Sequence, residues 1–73
     1  MKIDLLQQKI GRNIRFLRES KGISQQNLAA TCNFEKGNLS RIEAGRTNPT
    51  IATLYKISQA LEITISELVD VEK

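Results

Sequence analysis

A chain of 73 residues, 40% of them apolar and with a net charge of +3, has enough apolar side chains for one small domain with a marginal core and excludes a second domain. Histidine is absent and no serine, cysteine or carboxylate pair stands at a catalytic spacing, so neither an enzyme nor a cofactor or metal site is expected. No stretch approaches the roughly 18 apolar residues of a membrane span, MKIDLLQQKIG lacks a secretory apolar core, and one cysteine cannot close a disulfide within the chain, so a cytoplasmic location is expected.

In chain order, the first predicted helix runs from about Asp4 to Lys21, with Ile3, Leu6, Ile10, Ile14 and Leu17 on one face and Gly22 as its terminator. It is expected to lie across the helices that follow. Leu5 and Phe16 project from nearly the opposite side, beside Lys9 and Arg12, and read either as scattered surface residues or as a contact surface.

The next stretch, ISQQNLAATCNFEKGNLSRIEAG from Ile23 to Gly45, reads as two short helices joined by a tight polar corner, the motif proper covering about 24–44. Ser24 can cap the first, its hydroxyl accepting from the backbone N–H of Gln26 or Asn27, while Ile23 staples onto Leu28. Leu28, Ala29 and Cys32 supply a narrow apolar face, on which Cys32 reads as core packing rather than redox or metal chemistry. Asn33 tolerates the left-handed conformation that ends a helix. Phe34 and Leu39 repeat the staple around a second start at Glu35, Leu39 and Ile42 give the next apolar face, and Gly45 closes it. Helices of about seven and ten residues, separated by about three or four, suit a helix-turn-helix.

After Gly45 the loop RTNP is polar, Pro49 cannot sit inside a helix, and Thr50 can cap a fourth helix of about 50–61 carrying Ile51, Leu54, Ile57 and Leu61. Thr64 and Glu67 form a capping box, with Ile63 and Leu68 as staple, for a short fifth helix of about 64–69. The tail LVDVEK can fray, although Val69 and Val71 beside Ile65 leave more apolar surface than one small domain readily hides. The expected fold class is all-α, a compact bundle of five short helices.

SQQNLA, the apolar pair Cys32 and Phe34 flanking the corner, and NLSRIEAGRTNPT resemble the lambda-repressor-like helix-turn-helix family, also called the XRE family. That family includes Cro-type phage repressors and restriction-modification controller proteins, and the likeness covers roughly Lys9 to Val69. It implies that Arg18 pairs with Glu43, the glutamate of the IE dipeptide, and ties the first helix to the third; from the residues alone the two could equally form a loose surface pair worth little. It also implies phosphate contacts from Ser24 and Gln25 at the start of the second helix. Three positions depart from the family pattern: Asn33 stands where glycine is usual at the corner, Glu62 at a usual helix-ending glycine, and Glu35 at a capping site that prefers Ser or Thr.

Charge is distributed unevenly. Up to Lys56, ten cationic side chains oppose four carboxylates, a balance of +6, whereas from Ile57 onward the balance is −3. Positive charge concentrated around the motif suits a surface that meets phosphates, and ordinary solvated charge is the plainer alternative. On the second motif helix the apolar face leaves Gly37, Ser40, Arg41 and Ala44 outward, with Lys36 and Asn38 flanking the leading end. Such small, polar or basic residues fit the major groove, where arginine or lysine addresses guanine and asparagine pairs with adenine.

Lys36, Gly37, Asn38, Ser40 and Arg41 are thus candidate base readers, Gly37 either permitting close backbone approach or merely being tolerated near a helix start. Ser24, Gln25, Gln26, Arg46 and Asn48 are candidate phosphate contacts. The expected function is a sequence-specific transcriptional regulator, a homodimeric repressor or controller on a palindromic operator in double-stranded DNA. Dimerisation is expected through the region after Pro49, with Ile63, Ile65, Val69 and Val71 in the contact and the first helix as alternative. A protein-binding adaptor or antitoxin on the same fold is the rival, and an enzyme accessory domain a third reading. Outward Lys36 and Arg41 favour DNA, because an adaptor does not need that helix polar, basic and free of bulky apolar side chains. No membrane or small-molecule partner is expected.

Overall fold

The computed structural model describes residues 2–72; Met1 and Lys73, the last residue of the tail, lie outside them. The helices are α1 (Ile3–Ser20), α2 (Gln25–Thr31), α3 (Asn38–Glu43), α4 (Ile51–Ala60) and α5 (Ile65–Leu68), with no strand among the described residues. Among those residues no helix is long and apolar enough to cross a membrane.

Isolated helices shorter than about 12–15 residues are marginal in water, so four of these five depend on their ends and their packing. The hydroxyls of Ser24, Thr50 and Thr64 accept from the backbone N–H of Asn27, Thr53 and Glu67 at 3.0, 3.1 and 3.1 Å, and Glu67 completes the capping box. Each such cap contributes about 1 kcal/mol. The first four helices all finish in the same crossed pair of backbone bonds, for example Phe34 N–H to Ala29 O with Asn33 N–H to Ala30 O. That ending demands a left-handed residue, and Asn33 (φ 57°) and Glu62 (φ 59°) adopt it where the family pattern has glycine.

Ile14, Leu28, Leu39, Ile57, Leu61 and Leu68 are fully buried, and Cys32, Ile42 and Leu54 complete the core. Cys32 packs there as expected: burial pushes its thiol pKa up, and Sγ donates to Lys56 O at 3.7 Å. α1 lies across the C-terminal end of α3 at very short range. A Cβ on Gly11 would stand 2.6 Å from Glu43 O, and one on Gly45 would stand 2.6 Å from Gln8 Cα, so both crossings require the absent side chain. Asn13 fastens α1 to α5, its Nδ2 donating to Glu67 O (3.1 Å) and Leu68 O (2.8 Å), two of the carbonyls a helix end leaves without partners.

Several expectations are corrected. α3 starts at Asn38, not Glu35, and has six residues rather than about ten. Gly37 at φ 82° interrupts the helical run, and Asn38 N–H bonds Glu35 O at 3.1 Å, so residues 35–37 form a turn ahead of the helix and Glu35 caps nothing. Ile3 and Ile51, expected on buried faces, are 63% and 74% exposed; each is the first residue of its helix, past the edge of the core. Apart from these corrections, Ile63 and Ile65 are half-buried against this chain's own core and keep part of their surface open, as does Val71, and Val69 is exposed at that end.

Candidate nucleic-acid interface

α3 is held by its buried face. Arg18 Nε donates to Glu43 Oε2 at 2.7 Å and Nη2 to Oε1 at 3.0 Å, a two-pronged pair in which each residue is only 7% exposed. Arg18 Nη1 also donates to Ile23 O at 2.8 Å, and Gln25 Nε2 donates to Glu43 Oε1 at 3.0 Å. One carboxylate therefore joins α1, α2 and α3. The hydrogen bonds to Glu43 raise the Arg18 pKa above its ordinary value against the opposing effect of burial, and no buried side-chain polar atom among the described residues lacks a partner. A charge pair taken out of water persists only when its remaining donors are satisfied, and here they are.

The opposite face of α3 is open. Ser40, Arg41 and Ala44 are exposed on it, Lys36 and Gly37 are exposed in the turn ahead, and Asn38 is half-buried at its first position. The Arg41 guanidinium lies over that turn, so near that a Cβ on Gly37 would stand 3.3 Å from Nη1. Gly37 takes a left-handed backbone there, φ 82°, which glycine adopts without the steric cost a side chain would carry. A cleft of about 550 Å³ separates α2 from α3, lined in part by Gln25, Gln26, Phe34, Lys36, Gly37 and Ser40, so the start of α2 and the leading end of α3 open on one side. Ser24 and Gln26 are exposed there, while Gln25 is half-buried and spends its amide N–H on Glu43.

Arg46 and Asn48 are exposed in the loop beyond the far end of α3, away from that cleft. Lys36, Arg41 and Arg46 have no carboxylate within 4.0 Å among the described residues, unlike Arg15 and Arg18 on α1. The structure brings together the candidates from Ser24 to Gln26 and from Lys36 to Arg41, and it leaves Arg46 and Asn48 as a separate group. Reading the chain overlooked Gly11, Asn13 and the bond from Gln25 to Glu43. A lone glycine inside a helical pattern was the available signal for the first; nothing local marked the other two.

The helix-turn-helix family HTH_3 matches residues 14–68. An uncharacterised helix-turn-helix-type transcriptional regulator of Sinorhizobium fredii, y4dJ, is 43% identical over 60 residues, covering 82% of this chain and 78% of its own. Among solved structures, the restriction-modification controller protein C.AhdI from Aeromonas hydrophila superposes with a TM-score of 0.81 at 33% identity, over 84% of this chain and 92% of its own. SinR, the master regulator for biofilm formation, solved in complex with DNA, superposes with a TM-score of 0.77 at 39% identity, over 84% of this chain and 98% of its own. Several curated relatives are longer, and the chain spans 42–48% of their length. A five-helix bundle with its motif on α2 and α3, matched by the family over residues 14–68, belongs to the lambda-repressor-like helix-turn-helix family of transcriptional regulators, a DNA-binding class and not an enzymatic one.

Proposed function

We propose that this chain controls transcription as a homodimer, each copy seating α3 in the major groove of one half of a palindromic operator. The observation that carries the reading is the outward face of α3: exposed Ser40 and Arg41, with Lys36 and Gly37 just ahead, on a helix whose other face is locked through Glu43. A rigid helix with an unpaired arginine and small neighbours is what groove entry requires, since the backbone must approach the base edges before a side chain can read them. Arg41 is assigned to guanine, Asn38 to adenine, Lys36 and Ser40 to adjoining base edges, and Gly37 to the close approach. Ser24, Gln25 and Gln26 are assigned to the phosphates on one side, where the Ser24 hydroxyl accepts from Asn27 N–H and keeps its own proton for donation. Arg46 and Asn48 are assigned to the backbone on the other side. The likeness to SinR, solved in complex with DNA, supports DNA as the ligand.

A six-residue helix touches few base pairs, and a two-fold copy sets a second one about 34 Å away on the same face of the duplex. Selection of bound sequences from a random duplex pool tests the reading. An inverted repeat with half-sites about one helical turn apart is expected, with affinity falling steeply as salt rises. Enrichment of no duplex, together with salt-independent binding to a protein partner, would give the adaptor reading instead.

A further inference from the structure

The cleft between α2 and α3 has an apolar wall on a face that is otherwise polar. Ala29, Ala30 and Phe34 line it from α2 and its end, and Lys36, Gly37 and Ser40 line it from the α3 side. Ala30 is exposed, while Ala29 and Phe34 are half-buried and pack on the core from behind. Phe34 N–H donates to Ala29 O at 2.9 Å in the ending of α2, so the wall is fixed before anything enters the cleft. The Arg41 guanidinium lies over the Gly37 turn, Nη1 3.3 Å from where a Cβ on Gly37 would stand, which sets the arginine assigned to guanine at the edge of the same cleft.

We infer that this cleft receives the C5-methyl group of a thymine in each half-site, so that Ala29, Ala30 and Phe34 set sequence preference alongside the polar readers. The inference rests on the proposed docking of α3 in the major groove. Given that docking, the chemistry of the groove selects the occupant. Base edges there present carbonyl oxygens, ring nitrogens and amino groups, and the thymine methyl is their one alkyl group. A wall of alanine and phenylalanine side chains offers a base amino group or a phosphate oxygen nothing to bond, and burying either without a partner costs free energy. A methyl group forfeits no hydrogen bond there and gains by leaving water. Gly37 belongs both to the cleft and to the turn beneath Arg41. With base pairs about 3.4 Å apart, the thymine therefore lies within about two base pairs of the guanine assigned to Arg41.

The test is binding of the full chain to the duplex selected from the random pool, with uracil replacing thymine at one position at a time in both half-sites. Uracil keeps the hydrogen-bonding groups of thymine and lacks only the methyl. At one position near the guanine assigned to Arg41, the exchange is expected to weaken binding about fourfold per half-site, the worth of one buried methyl group. Ala30→Gln brings a polar side chain over the wall from an exposed position on α2, so an unchanged denaturation midpoint is expected. This variant is expected to bind the thymine and uracil duplexes equally while keeping its preference for the guanine. Selected half-sites with no thymine near that guanine, or uracil without effect at every such thymine, overturn the inference and leave the docking of α3 standing. So does a thymine preference undiminished in Ala30→Gln, which would set the methyl against another part of the groove face. A pool that enriches no duplex overturns the docking itself, and the inference with it.

Discussion

Arg41 and Arg46 are both exposed and both without an ion-pair partner among the described residues, yet they stand on different supports. Arg41 projects from α3 over the Gly37 turn, whereas Arg46 follows the helix end in a polar loop. Arg41→Ala is expected to weaken the preferred site and to flatten preference at one base position per half-site, by about 1–3 kcal/mol for a two-pronged guanine contact. Arg46→Ala is expected to weaken every sequence alike and to shallow the salt dependence by about one unit per subunit. A panel of operators with altered base pairs decides this: equal losses across the panel for Arg41→Ala would move base reading to Lys36 and Asn38. Glu43 is the residue on which stability turns. Its loss strands the buried Arg18 guanidinium and releases Gln25, so Glu43→Ala is expected to cost about 3–5 kcal/mol, read as a lowered denaturation midpoint. The Arg18 pKa is raised, and a cation with a raised folded pKa keeps its full contribution below its unfolded value and loses it only as pH climbs through the folded one. For a guanidinium that loss lies beyond the alkaline end of the usual range, so its side of the pair is insensitive to pH near neutrality.

At the scale of the elements, ends and crossings matter more than propensity. Glu62 takes a left-handed backbone after α4, which costs a residue with a side chain about 1–2 kcal/mol, while glycine there returns about 0.4–1 kcal/mol as unfolded-chain entropy. Glu62→Gly is therefore expected to stabilise by about 1 kcal/mol or less, a rise in melting temperature of a few degrees. The opposite exchange at Gly11 should be severe, since Gly11→Ala drives a methyl group into the carbonyls of Ile42 and Glu43 and must push α1 off α3. Thermal melts of the two variants check both signs, and a Gly11→Ala protein as stable as the parent would mean that α1 can shift without loss. The shortness of α3 bears on the proposed docking as well: Lys36 and Gly37 lie in the turn ahead of the helix, so in that docking these two assigned base readers would meet the groove from its leading end.

For the whole molecule, the distribution of surfaces is the organising fact. Positive charge collects in the part that holds α1 to α3, while the segment after Ile57 is acidic, so the two regions present different faces to any partner. Ile51, Tyr55 and Val69 are exposed in the region after Pro49. With Ile63 and Ile65 half-buried against the core, these three are the exposed large apolar residues available to a two-fold contact there. Ile51→Glu or Val69→Glu is expected to abolish association and to reduce operator affinity to that of a single half-site, because the second recognition helix is then no longer tethered. Sedimentation that finds only monomer, free and on DNA, would remove the dimer, and association lost on Phe16→Ala but kept in these variants would move it to α1.

What the amino-acid order determined by itself is local. The caps at Ser24, Thr50 and Thr64 join atoms three residues apart, and the left-handed Asn33 ends the helix it follows, so those boundaries could be read without knowing what packs where. Spacing of Ile14, Leu28, Leu39, Ile57 and Leu61 on helical faces likewise marked the core, because burial follows the period of the helix wherever a helix has neighbours on that side. The pairing of Arg18 with Glu43 came from resemblance rather than from spacing, since 25 residues separate them. Tertiary structure decided the rest. Whether Ile3 and Ile51 were covered depended on where each axis passes the edge of the core, and the start of α3 depended on a left-handed Gly37 that the Phe34 and Leu39 staple pattern did not reveal. Gly11 against the end of α3, and Asn13 on Leu68 across 55 residues, are consequences of how closely helices cross, a distance that no local pattern encodes.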